Sequence, residues 1–203
     1  DLLDEGMNKL ILDLRGNPGG YLNAAISIAD EFLPSGKLIV YTEGKNRPKN
    51  FAFATDRGNL QGKEVVILID GGSASASEIV SGAIQDWDRG GIVGRRSFGK
   101  GLVQQPFMLS DGSLIRLTVA RYYTPTGRLI QKPYEDGDEE YARDLINRYN
   151  QGELSNADSI VFPPSQQYKT LTMNRTVYGG GGIMPDYFVP LDTTLFSDYY
   201  RSL

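Results

Sequence analysis

Twice in this chain an aliphatic run ends in glycines and passes at once into a helical pattern. The first is "LILDLRGNPGGYLNAAISIADEF" from Leu10, the second "VVILIDGGSASASEIVSGAIQD" from Val65. Strand, glycine turn and helix in repeated order predict an α/β core whose strands pair in parallel. The first unit reads as a buried strand over Lys9 to Gly16, a turn at "NPGG", and a helix from Tyr21 that Pro34 and Gly36 stop. "KLIVYTEG" is a second strand, and the polar residues around "KNRPKN" precede a short strand, "FAFAT". The run "EVVILID" is a third strand, continued by the helical spacing of "SEIVSGAIQDW".

Two further strands, "GLVQQPFML" and "SLIRLTVARYYT", flank Ser110-Asp111-Gly112, and Asp-Gly between such runs predicts a hairpin. Beyond "YYTPTGRLIQKPY" the pattern weakens. Glu135 to Tyr149 reads as a helix with an acidic entry, Ser155 to Thr176 is too polar to assign, and the four glycines of "YGGGGIMPDYFVPL" read as a flexible turn before a strand-like run. With 203 residues and 40% apolar content the chain can bury one large core. Residues 135–176 carry too little apolar content for a second core and are expected to form an insertion.

The net charge of −4, with Lys and Arg scattered, gives no footprint for a nucleic-acid backbone. No apolar run approaches the roughly 18 residues of a membrane span. There is no cysteine, which removes disulfides, thiolate metal sites and cysteine nucleophiles. There is also no histidine. Ser-His-Asp catalysis, histidine-ligated zinc and histidine proton shuttling are therefore impossible within this chain, and a base working near neutral pH must be Lys, Asp, Glu or Tyr. No metal or cofactor is called for.

The stretch after the third strand carries three serines, Ser73, Ser75 and Ser77, spaced two apart. Ser75-Ala76-Ser77-Glu78 fits a capping box, in which Glu78 reaches back to the start of the helix. A serine at a sharp strand-to-helix turn also stands at the C-terminal end of the sheet beside outward-pointing amides, which suits a nucleophile next to an oxyanion site. Ala74 and Ala76 leave room for a substrate backbone. Without histidine the natural base is a lysine, and Lys100, between Gly99 and Gly101 at the mouth of a strand, leads. It must be held neutral, which takes a dry pocket.

The segment Ser97-Phe98-Gly99-Lys100 offers S-x-x-K as a rival, but glycines on either side of the lysine disfavour the helical turn that motif needs. Gly19 and Gly20 of "NPGG" can supply a second oxyanion amide beside that of Ala76. Gln104 alternates with Leu102 on the strand after Lys100 and could orient the lysine amine. Asp86 lies three helical turns from Ser75 and is expected to be structural.

Taken in order, "LILDLRGNPGG", "VVILIDGGSASASEIVSGAIQD", "GRRSFGKGLVQ", "LTVARYYTPTGRLIQ" and "YGGGGIMPD" resemble the catalytic core of the C-terminal processing (tail-specific) serine proteases, peptidase family S41. The resemblance implies a crotonase-like (ClpP/crotonase) α/β core with a small β-rich C-terminal part. It implies a serine endopeptidase that cuts proteins at or toward their C-termini with Ser75 as nucleophile and Lys100 as base. Gln104 matches the residue that positions the lysine in some members, Asp86 an aspartate held important in others, and the oxyanion donors would be Ala76 and a glycine of "NPGG".

Family members usually carry a PDZ domain and an earlier core strand before this point, so residues 1–203 are expected to be a catalytic core truncated at its N-terminus. The family implies unfolded C-terminal tails as substrates and an extracytoplasmic place in the bacterial periplasm or cell envelope, and it leaves a homo-oligomer open. A catalytically silent peptide-binding or scaffold module of the same fold is the alternative.

Overall fold

The computed structural model describes residues 2–134 and 137–192. Two four-stranded sheets share one core. The first is wholly parallel, ordered β1 (Lys9–Asp13), β4 (Glu64–Ile69), β5 (Gly91–Gly94), β10 (Tyr187–Phe188). The second is antiparallel, ordered β3 (Arg47–Phe53), β2 (Leu38–Gly44), β7 (Leu114–Tyr123), β6 (Leu102–Met108). Helix α1 (Leu22–Asp30) follows β1 and α2 (Ala76–Asp86) follows β4. Ala25, Ala29 and Leu33 meet Ile79, Val80 and Ala83 in a cluster that continues onto Ile67 and Ile69 of β4 and Ile39 and Val40 of β2. Small residues on α1 let the two helices approach closely, so the polar start of α2 is held at the rim while its apolar face is sunk in the core.

Four sequence expectations need correcting. The parallel strand-turn-helix units exist, but "KLIVYTEG" joins the second, antiparallel sheet, because its partners are β3 and the second arm of the Asp-Gly hairpin. β1 is not buried throughout. Leu10 and Leu12 pack against the core, whereas Ile11 on the other face is 68% exposed, since β1 is an edge strand. The strand near "KNRPKN" begins earlier than expected, at Arg47, and includes Pro48; an edge position tolerates a residue with no N–H to give. Finally, the glycine run is hydrogen-bonded into the body: Gly179 N–H donates to Gln166 O (2.9 Å), Gly180 N–H to Leu129 O (2.7 Å) and Gly182 N–H to Ile130 O (2.9 Å).

The acidic segment forms α3 (Asp138–Asn150). β8 (Gln167–Lys169) and β9 (Thr176–Tyr178) make a small antiparallel pair and β10 returns to the parallel sheet, so the C-terminal part expected to be β-rich is mixed, its longest element being α3. β5 was not foreseen in the sequence; its four residues, "GIVG", are half glycine.

Asp86 at the end of α2 is fully buried and does not line the cleft that Ser75 lines. Its carboxylate pairs with the fully buried Arg128 and accepts from the Thr126 amide (2.9 Å) and hydroxyl (2.8 Å). Arg128 also donates to Tyr178 O (2.9 Å), so the pair fastens the β7 exit and β9 to the helix. Replacing Asp86 by Asn leaves a buried guanidinium without its counter-charge. It is expected to cost about 3–5 kcal/mol in urea unfolding.

Candidate active site

The parallel strands β1, β4 and β5 end in register, Asp13 beside Leu68 and Ile69 beside Gly94. Their C-terminal loops therefore converge, as ligand sites do in open α/β sheets. After β4 the chain turns through Asp70, whose carboxylate accepts from the amides of Gly72 (2.9 Å) and Gly16 (2.9 Å) and so ties the two strand exits together. Ser73 and Ser77 are then consumed by the fold. Ser73 Oγ donates to Leu14 O (2.8 Å) and Ser77 Oγ to Asn17 O (3.0 Å), both nearly inaccessible.

Ser75 differs from both. It is the N-cap of α2 with φ 55° and ψ −112°, a left-handed conformation that costs free energy for a side chain other than glycine. Its hydroxyl donates to no acceptor among the described residues and faces a cleft of about 560 Å³. Lys100, Gln104, Tyr122, Ala76 and Gly20 line the same cleft. A more open hollow of about 710 Å³ near Trp87 and Arg89 contains none of them.

Two side chains hold Ser75 and Lys100 in fixed relation. Glu78, one turn into α2, is fully buried. Its Oε2 accepts from the amides of both Ser75 (2.8 Å) and Lys100 (2.8 Å), and its Oε1 from Gly99 N–H (2.6 Å) and Ser97 Oγ–H (2.6 Å). Tyr122 of β7 provides the complementary bridge: its hydroxyl reaches both Ser75 O (3.1 Å) and Lys100 O. One carboxylate thus gathers the N–H groups of the two segments and one phenol their carbonyls.

Burial pushes the Glu78 carboxyl above its ordinary range, while its four donors pull the other way. Burial, and then the charge of Glu78, raises the Tyr122 phenol well above its ordinary value, so it stays a protonated donor. The backward reach of Glu78 was legible as a capping box. The carboxylate's grip on the Lys100 segment was not, and Tyr122 was missed, although Ala120 and Tyr122 alternate as the buried face of β7.

The glycines of the first loop divide the task. Gly19 has φ +94°, and a Cβ there would lie 2.5 Å from Ala74 O and 2.6 Å from Ala76 N, so only glycine lets this loop close on the Ser75 turn. Its amide is already spent on Asn17 Oδ1 (2.9 Å). That argues against Gly19 as an oxyanion donor, whereas the Gly20 and Ala76 amides have no acceptor among the described residues and line the cleft. Gly99, beside Lys100, also has positive φ (+88°), and a Cβ there would sit 3.0 Å from Gly182 N. Gln104 is exposed beyond an irregularity in the β6–β7 ladder and makes no hydrogen bond to Lys100. No group of metal-ligating side chains occurs among the described residues.

A serine hydroxyl, a lysine amine, and amides without an acceptor among the described residues around one cleft are the groups that acyl transfer uses. The comparisons with known proteins agree with that chemistry. The sequence model of Peptidase family S41 matches residues 1–140. A carboxy-terminal-processing protease of Bartonella bacilliformis is 51% identical over 122 residues, covering 60% of this chain and 28% of its own length. A carboxyl-terminal-processing protease of Synechocystis sp. is 45% identical over 131 residues, 64% of this chain and 30% of its own. Among solved structures, a photosystem II D1 C-terminal processing protease superposes with a TM-score of 0.64 at 28% identity, over 93% of this chain and 36% of that one. The chain thus spans less than a third of the length of these two curated relatives.

Proposed function

Because this chain belongs to peptidase family S41, we propose that it forms the catalytic core of a serine endopeptidase that uses a Ser75–Lys100 dyad on a crotonase-like α/β scaffold. The observation that carries the reading is the division of labour among the three serines: two hydroxyls are locked into carbonyls, and the strained third faces Lys100's cleft.

Neutral Lys100 takes the Ser75 Oγ proton as the oxygen attacks a peptide carbonyl carbon. The oxyanion is received by the amides of Ala76 and Gly20. The C–N bond breaks, the leaving amine takes the proton from Lys100, and an ester on Ser75 remains. Lys100 then deprotonates a water that hydrolyses the ester, and the proton returns to Ser75. Gln104 is assigned to orienting the amine once substrate occupies the cleft. Substrates are unfolded protein tails cut toward their C-termini. The enzyme acts outside the cytoplasm; no helix among the described residues is long and apolar enough to cross a membrane.

The test is product mapping with the full-length protein and an unfolded substrate such as carboxymethylated casein. Wild type is expected to release fragments and Ser75→Ala none above background. Cleavage by folded Ser75→Ala at the wild-type rate would sink the proposal. Peptide binding without turnover by the wild type would favour the silent scaffold module instead.

A further inference from the structure

Lys100 is the last residue of a four-residue segment in which every backbone polar group has a partner. The Ser97 amide donates to Ile183 O (3.1 Å) and the Phe98 amide to Ser73 O (2.9 Å), while the Gly99 and Lys100 amides go to Glu78. The Gly99 carbonyl accepts from the Lys132 amide (3.0 Å) and the Lys100 carbonyl from Tyr122. The two remaining carbonyls belong to Ser97 and Phe98, and no main-chain group reaches either. One guanidinium takes both: Arg148 Nη1 donates to Ser97 O (2.7 Å) and Nη2 to Phe98 O (3.3 Å).

Arg148 lies on α3, in the segment the sequence marked as an insertion and beyond residue 140, where the family match ends. It is 3% exposed, and its Nε, which makes no hydrogen bond, lies in ion-pair range of Asp144 Oδ2 (2.9 Å) and Glu153 Oε1 (4.0 Å). Glu153 in turn grips Arg96, immediately before the segment, through two bonds (2.6 and 2.5 Å). Lys132 Nζ approaches Asp144 at 3.3 Å. Three cations and two carboxylates therefore form a partly buried lattice whose contacts with residues 96–98 set where the chain enters Lys100.

We propose that Arg148 is a positioning residue for Lys100. The α3 segment completes the general base by clamping the two carbonyls that precede it. The proposal rests on the Ser75–Lys100 reading above. Removing the guanidinium leaves both carbonyls without their partner and loosens the segment at residues 97 and 98, which shifts the lysine amine without touching substrate or Ser75. Misplacement of a catalytic group by about 1 Å costs on the order of 10²-fold.

In the full-length protein acting on carboxymethylated casein, Arg148→Gln is expected to lower kcat about 10- to 100-fold with little change in KM. It is also expected to displace the pH midpoint of kcat/KM and to slow fluorophosphonate labelling of Ser75 in parallel. Arg148→Lys keeps the buried charge but cannot fork across two carbonyls, so it should recover part of the loss; it also serves if the Gln variant fails to fold. Addition of methylguanidinium should partly restore Arg148→Ala. Wild-type kcat and pH midpoint in folded Arg148→Lys and Arg148→Gln would overturn the proposal. So would a loss that only follows the unfolded fraction. Lys100→Ala, assayed alongside, separates the two readings. If it is inert while the Arg148 variants are normal, only the clamp fails; if it turns over normally, the dyad itself fails.

Discussion

Lys100→Ala in the full-length protein is expected to lower kcat on an unfolded substrate by at least about 10³-fold, with KM changed no more than about twofold. The size follows from the histidine-free composition. Among the described residues that line the cleft, Lys100 is the one amine beside Ser75, and Tyr21, 86% exposed, carries a phenol, a group too basic in water to lose its proton near neutral pH. Glu78 is enclosed by four donors and Tyr122 is held protonated by burial, so neither can substitute. Folding should be nearly untouched, because the lysine's backbone, not its side chain, carries the bonds to Glu78 and Tyr122. A thermal melt within a few degrees of wild type would confirm that the loss is chemical.

Glu78→Gln is the second large effect, expected at about 10²-fold or more in kcat and about 1–3 kcal/mol in stability for each bond left unmade. The carboxylate accepts four bonds with two oxygens. An amide offers one oxygen and turns an NH₂ toward amides that can only donate. The same geometry fixes the sign of the pH dependence. Burial raises the Glu78 carboxyl above its ordinary range, so the folded state favours the protonated form, and the ionised form at neutral pH costs stability. That cost is relieved as pH falls through the raised value, yet a protonated oxygen can no longer accept both of its bonds. Acidification is therefore expected to loosen the tie between Ser75 and Lys100 before the fold is lost. Activity should decline at a higher pH than the far-UV circular dichroism signal, and coincident transitions would refute this.

Much of this site was legible in the sequence because its parts are local. The turn from β4 into α2 brings the serines and Glu78 together within a few residues, and the glycines beside Lys100 announce a tight loop. The absence of histidine directs attention to lysine before any geometry is known. What was not legible depends on pairings distant in sequence. Tyr122 reaches the site only because the end of β7 brings its hydroxyl to the Ser75 and Lys100 carbonyls, and Arg148 only because α3 folds back on residues 96–98. The placement of "KLIVYTEG" in the second sheet was hidden for the same reason: an aliphatic run specifies a strand without naming its neighbour. Gly19 and Gly20 looked equivalent in "NPGG", and the structure separates them by the close approach of Gly19 to the Ser75 turn and by the Asn17 side chain, which captures the Gly19 amide.

The dyad is tested most directly by the rate at which a fluorophosphonate phosphonylates the protein, with the modified residue located by peptide mass spectrometry. Wild-type protein is expected to carry the label on Ser75, at a rate that rises with pH, and folded Lys100→Ala to react at least about 100-fold more slowly. Label on another residue, or equal rates in the two proteins, would contradict a Ser75 nucleophile activated by Lys100.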